Sequence, residues 1–170
     1  MIFLSIHLKE RGFVMKKRLY FLKIVLALAV LVVLMIEGLI TTQFVTSPQQ
    51  TMHWADWLFL LVVWIAIALL ITVAFFLNRL LNLIQGDDVF SPQSLPIVRA
   101  IRRLIYIIGI DAIGILPFFY EGAQLDDAPG LMLFGLGVVF IPFAVGVFAS
   151  VFEQLLTTAI QLKTENSLTI

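Results

Sequence analysis

The 170-residue sequence predicts an all-α integral membrane protein, a four-helix bundle with both termini in the cytoplasm and a C-terminal helix that extends into it. Three observations carry that expectation. Hydrophobic residues make up 61% of the chain and charged residues 13%, with a mean hydropathy of +1.07, a composition that no water-soluble surface could accommodate. Four long apolar stretches each approach or exceed the roughly 20 residues that span a bilayer as a helix. All eleven Lys and Arg then fall on one side of the membrane: Lys9, Arg11, Lys16, Lys17, Arg18 and Lys23 at the N-terminus, Arg79, Arg99, Arg102 and Arg103 in the centre, and Lys163 near the end. The two connections on the other side carry only acids, Asp56 and then Glu121, Asp126 and Asp127, which places the basic side in the cytoplasm.

The first span is expected over residues 19–40. Met15-Lys16-Lys17-Arg18 reads as a translation start with a basic flank, so residues 1–14 form an upstream extension or a disordered N-terminus and residues 15–170 a single membrane domain. A secretory signal would have a hydrophobic core of only about 7 to 15 residues and a small-residue cleavage site, whereas Glu37-Gly38-Leu39-Ile40-Thr41-Thr42 offers none. Ser47-Pro48-Gln49-Gln50 makes a hydrated outer connection. Trp54 and Trp57 are anchors at the outer headgroup level, and His53 beside them is solvated, since one imidazole falls short of the three or four donors of a metal site.

The second span, residues 57–77, continues as a helix through Arg79 and Asn82 to Gln85. Gly86 is placed to stop it, Asp87-Asp88-Val89-Phe90-Ser91-Pro92 to turn the chain, Ser91 to cap the next helix and Pro92 to open it. In the cytoplasmic loop over residues 78–103, Arg99, Arg102 and Arg103 cluster at helical spacing, with Val98, Ile101 and Ile105 on another face. The third span follows over residues 104–119, with Pro117 at its outer end, where headgroup water can replace the lost hydrogen bond. After the acidic turn comes the fourth span, residues 131–150, whose Gly146 and Ser150 lie four apart and offer a smooth face, either to the chain's own helices or to a second copy. The cytoplasmic tail, residues 151–170, gathers Phe152, Leu155, Leu156, Ala159 and Leu162 on one helical face, and its last seven residues need a docking surface to become ordered.

Few residues point to chemistry. Asp111 lies near the middle of a span, where a charge costs about 2.5 to 3.5 kcal/mol on insertion scales. It is expected either to pair with Lys23, which is about one turn inside the first span and can snorkel, or to remain protonated. Glu37, near the outer end of its span, is expected to reach water. The chain has no Cys, which excludes disulfides, thiolate metal sites and thiol redox chemistry. No paired carboxylates, His cluster, Ser/His arrangement or phosphate-binding glycine loop is present, so the expectation is a protein without enzymatic activity, cofactor or metal. Arg99, Arg102 and Arg103 beside a membrane suit anionic lipid headgroups, at about 1 kcal/mol each, better than direct contact with nucleic acid.

Two segments carry a family resemblance. Val151-Phe152-Glu153 followed by Leu162-Lys163-Thr164-Glu165-Asn166-Ser167-Leu168-Thr169-Ile170, together with Gly86-Asp87-Asp88-Val89-Phe90-Ser91-Pro92, resembles a bacterial family of small four-span membrane proteins catalogued as domain of unknown function 2975. The resemblance covers most of the chain from Met15 and brings no catalytic residues. It implies a partnership with small helix-turn-helix transcription regulators of the Cro repressor type. Arg99, Arg102 and Arg103 with Glu165, Asn166, Leu168, Thr169 and Ile170 are the surface expected to meet such a partner or lipid headgroups. A small transporter or proton-coupled permeation unit using Asp111 is the main alternative. A peptide-immunity or envelope-stress protein acting through the outer loops is another.

Overall fold

The computed structural model describes the backbone of residues 2–46, 53–85 and 93–168. The expected turn features at residues 47–50 and 86–92, and Thr169 and Ile170, lie outside the described residues. Five α-helices and one 3-10 turn make up the rest: α1 (Ile2–Thr46), α2 (Trp54–Gln85), α3 (Ser94–Ala112), the turn Ile113–Ile115, α4 (Leu116–Leu125) and α5 (Gly130–Leu168). Four segments are long and apolar enough to cross a membrane, Leu19–Thr46, Trp54–Leu83, Ser94–Leu125 and Gly130–Glu165. Their outward side chains are large and apolar, as lipid contact demands, among them Leu28, Phe75, Ile110 and Phe140.

α1 is continuous from Ile2, so the residues ahead of Met15 form the first turns of the same helix. α2 opens with reciprocal capping, in which the His53 backbone N–H donates to Asp56 Oδ2 at 2.9 Å while the Asp56 N–H returns to the His53 carbonyl at 3.1 Å. Trp54 and Trp57 sit exposed in that first turn. α3 begins at Ser94 without a side-chain cap from Gln93, and Ser94 itself is fully buried.

The third span is not the single helix the sequence suggested. Proline at 117 lacks an N–H, and its ring crowds the carbonyl four residues back, that of Ile113. The chain answers with the tighter turn Ile113–Ile115, in which the Leu116 N–H bonds the Ile113 carbonyl, and α4 restarts with Pro117 in its first turn. α4 ends with Asp127 at φ 48°, the left-handed conformation, while the Ala128 N–H reaches the Ala123 carbonyl at 3.0 Å. That bond closes the helix in the manner of a Schellman cap.

α3 lies at the centre of the packing, with α2 on one side and α5 on another, whereas α1 packs mainly on α2. Three apolar clusters hold the bundle. Val62, Ala112, Ile115 and Val139 join α2, α3, the turn and α5 near the acidic end. Val73, Ile97 and Ile101 join α2 to α3, and Val98, Leu156 and Ile160 join α3 to α5 at the basic end. An aromatic layer ties α1 to the others: Phe44 lies 5.9 Å from both Phe59 and Phe118, and those two stack at 4.4 Å. Glycines seat large side chains across the α3–α5 seam, Gly109 beneath the Phe143 ring and Gly146 beneath Tyr106.

Candidate functional site at the α3–α5 junction

The polar groups that converge in the structure do so where the first turns of α3 meet the second half of α5. Arg99 and Arg102 are three apart on α3, so one helical face presents both guanidinium groups to α5. Glu153 meets them there. Arg99 Nε donates to Glu153 Oε1 at 3.0 Å, and Arg102 Nη1 stands 3.1 Å from Oε2 as an ion pair outside hydrogen-bonding geometry. The carboxylate side chain is only 12% exposed while the arginines remain 53% and 34% exposed, so a largely desolvated anion is held by two cations that keep their outer edges free. Two positive charges against one negative leave the junction with a surplus positive charge facing headgroups or water.

Neighbouring contacts fix the geometry. One turn before Glu153 on α5, the Ser150 hydroxyl donates to the Gly146 carbonyl at 2.9 Å, which leaves its oxygen to accept from Tyr106 at 3.3 Å. On the other side, Val98 packs with Leu156 and Ile160. The Glu153 backbone carbonyl accepts from Thr157 at 2.8 Å. The junction is therefore a latch that holds α5 on α3 by one hydrogen bond, one ion pair and an apolar cluster.

Residues singled out in the sequence are distributed differently from expectation. Lys23 and Asp111 do not pair. Lys23 Nζ donates to Asn82 Oδ1 at 2.7 Å, because α1 packs on α2 and not on the Asp111 side of α3. Asp111 Oδ2 is buried with no hydrogen-bond partner among the described residues. Glu37 does not reach water: it is 4% exposed on the α1 face turned to α2, with Thr41 Oγ1 donating to it at 3.3 Å. Arg99 and Arg102 are engaged inside the chain, and only Arg103 of the trio forms no ion pair with another described residue. The Gly146/Ser150 face is occupied by Tyr106, so it serves the chain's own packing and is not open to a second copy. α5 stays helical through Leu168, and thus Glu165, Asn166 and Leu168 prolong the helix where an unstructured tail was expected. The partner of the arginines, Glu153, was missed. Its signal was present in the sequence: it is the one acid of the chain's last forty residues apart from Glu165, and it sits where the fourth span ends.

Comparison with known proteins bears on this chain in three ways. The sequence model of a family described as "Protein of unknown function (DUF2975)" matches residues 40–170. The chain is also similar to the uncharacterized membrane protein YoaS of Bacillus subtilis (strain 168), with 37% identity over 92 residues, 54% of this chain and 58% of that protein. No solved structure matches.

Proposed function

The chain belongs to the family described as a protein of unknown function, DUF2975, and from that premise we propose a non-enzymatic interaction protein of the bacterial cytoplasmic membrane. It presents a docking surface to the cytoplasm, and the partner that the family resemblance implies is a small helix-turn-helix transcription regulator, held at the membrane and released from it. One observation carries this reading. Beyond Glu153, α5 continues as helix to Leu168: Leu156 and Ile160 still pack on Val98 of α3, and the last eight helical residues, 161–168, about 12 Å at 1.5 Å per residue, run on past that packing, with the Arg99–Glu153–Arg102 latch holding α5 against α3 ahead of them. A projection fixed at its base is a preorganised surface, which lowers the ordering cost of binding. The basic flank, Arg103 and the unpaired edges of Arg99 and Arg102, keeps the ledge against anionic headgroups.

Co-purification in mild detergent with a helix-turn-helix regulator encoded beside it tests the proposal. The full chain is expected to retain the regulator, and a chain lacking residues 161–170 to lose it. Retention by the shortened chain would remove the ledge from the mechanism, and failure of the full chain to retain any such regulator would sink the assignment of the partner.

A second reading is favoured by Asp111, whose buried Oδ2 has no hydrogen-bond partner among the described residues, in a segment long and apolar enough to cross a membrane. An acid in that position is a candidate proton or cation carrier. Asp111→Asn should abolish any proton-coupled flux that the protein supports; unchanged flux would end this reading.

A further inference from the structure

α1 and α2 touch at both ends and stand apart between. Toward the basic end Lys23 Nζ donates to Asn82 Oδ1 at 2.7 Å, and toward the acidic end the Phe44 and Phe59 rings lie 5.9 Å apart. The slot between these contacts is a cavity of about 530 Å³, within the range of small-molecule sites. Its walls are aliphatic: Leu26, Val30 and Leu34 on α1 face Ile71, Ala74 and Leu77 on α2. A third helix, about 10 to 12 Å across, cannot enter between two helices closed at both ends. A hydrocarbon chain can, and an unfilled void would deny its walls dispersion contacts.

The polar groups stand at one end of the slot. Lys23, Val30 and Leu34 follow one another on α1 in steps of seven and four residues, and Ile71, Ala74, Asn78 and Asn82 on α2 in steps of three, four and four. The ammonium and the two amides therefore share the helix faces that line the slot. The Lys23–Asn82 bond leaves two N–H groups on the lysine and both on the Asn82 amide. Among the described residues no carboxylate pairs with Lys23, and Arg79, exposed and three residues before Asn82, adds a second positive charge. Free donors and positive charge without a counter-ion suit a phosphate. From Lys23 to Leu34 the helix rises about 16 Å, close to half of the roughly 30 Å hydrocarbon core. A lipid whose phosphate rests on Lys23 thus lays one acyl chain along the slot within its own leaflet.

We propose that the α1–α2 slot binds one anionic phospholipid of the leaflet at the basic end, its phosphate held by Lys23 and the Asn82 amide and one acyl chain held between the two helices. A zwitterionic lipid brings its own ammonium against Lys23 and Arg79, so the site selects a headgroup without a cation, such as that of phosphatidylglycerol. The site is separate from the α5 surface and does not depend on the regulator proposed above.

For the test, the full chain is reconstituted in vesicles of equal parts phosphatidylglycerol and phosphatidylethanolamine, extracted in mild detergent and weighed with its bound lipid by native mass spectrometry. One phosphatidylglycerol per chain is expected, retained several-fold over phosphatidylethanolamine. Lys23→Met, which keeps an apolar stem and removes the charge, should lower that retention several-fold; Lys23→Arg should keep most of it, and Lys163→Gln on α5 should leave it unchanged. Ala74→Leu, which fills the slot, should also lower it. Equal retention of the two lipids by the parent chain would overturn the proposal, as would parental retention by Lys23→Met or Ala74→Leu, or a loss in Lys163→Gln as large as in Lys23→Met. A second measurement uses the parent chain alone and so does not rely on a variant folding. An excess of glycerol 1-phosphate, which carries the phosphate without acyl chains, should displace little of the bound lipid, and complete displacement would remove the slot from the site.

Discussion

At the scale of single residues, Glu153 has the most to lose from change. Removing its carboxylate in Glu153→Ala leaves the two half-exposed arginines on one face of α3 without the anion they share. The cost lies between that of an exposed ion pair and that of a broken buried one, about 1 to 3 kcal/mol, because both guanidinium groups keep part of their hydration. Denaturant titration in detergent micelles should show that loss, and Glu153→Gln should recover part of it by accepting from Arg99. The arginine cluster was visible in the sequence, but its partner was not, because residues 54 positions apart meet only once the packing of α3 on α5 is known. Lys23 and Asp111 show the converse. Their depths were legible, yet depth does not say which helices are neighbours, and Lys23 found the neutral side chain of Asn82 on the adjacent helix.

At the scale of elements, the α3–α5 seam depends on glycines that let large rings approach the backbone. A Cβ at Gly146 would stand 2.9 Å from the Tyr106 ring, and at Gly109 3.1 Å from Phe143. Gly146→Leu should therefore force Tyr106 away from Ser150 and destabilise the bundle by at least the 1 to 3 kcal/mol typical of overpacking, measured as a lower unfolding midpoint at unchanged helix content. The four apolar spans were legible because about 20 apolar residues in a row have few alternatives to crossing a bilayer. The break in the third span was only half legible. Pro117 was noticed, but a proline disturbs the turn before it, and Gly114 in that turn sits against Val62, where an added Cβ would stand 2.6 Å from the valine methyl group. The turn is thus matched to α2 as well as demanded by the proline.

At the scale of the whole molecule, orientation is expected to follow from charge. The basic ends of all four spans lie together, so single cysteines introduced into the Cys-free chain should separate cleanly: Ser47→Cys labelled by an impermeant reagent from outside the cell, and Ser91→Cys only after the membrane is opened. The reverse pattern would invert the topology and move the α5 projection to the outer face. The general architecture was legible at this scale because segregated charge and long apolar runs are properties of the chain alone, whereas it took the structure to show which face of α5 packs on α3. The peripheral place of α1, packed mainly on α2, bears on how the protein is made. The span Leu19–Thr46 is apolar on most sides and meets its neighbours chiefly on α2 and through the Phe44 layer, so it is expected to leave the translocon unaccompanied and wait in lipid. The third span cannot do so, because it carries Asp111, Pro117 and an arginine cluster whose anion lies on α5, still unsynthesised when α3 emerges. Insertion is therefore expected in two unequal steps, α1 and α2 first and then α3, α4 and α5 together; ribosome-arrested chains that end before Glu153 should leave α3 extractable by alkali, and chains that extend past it should not.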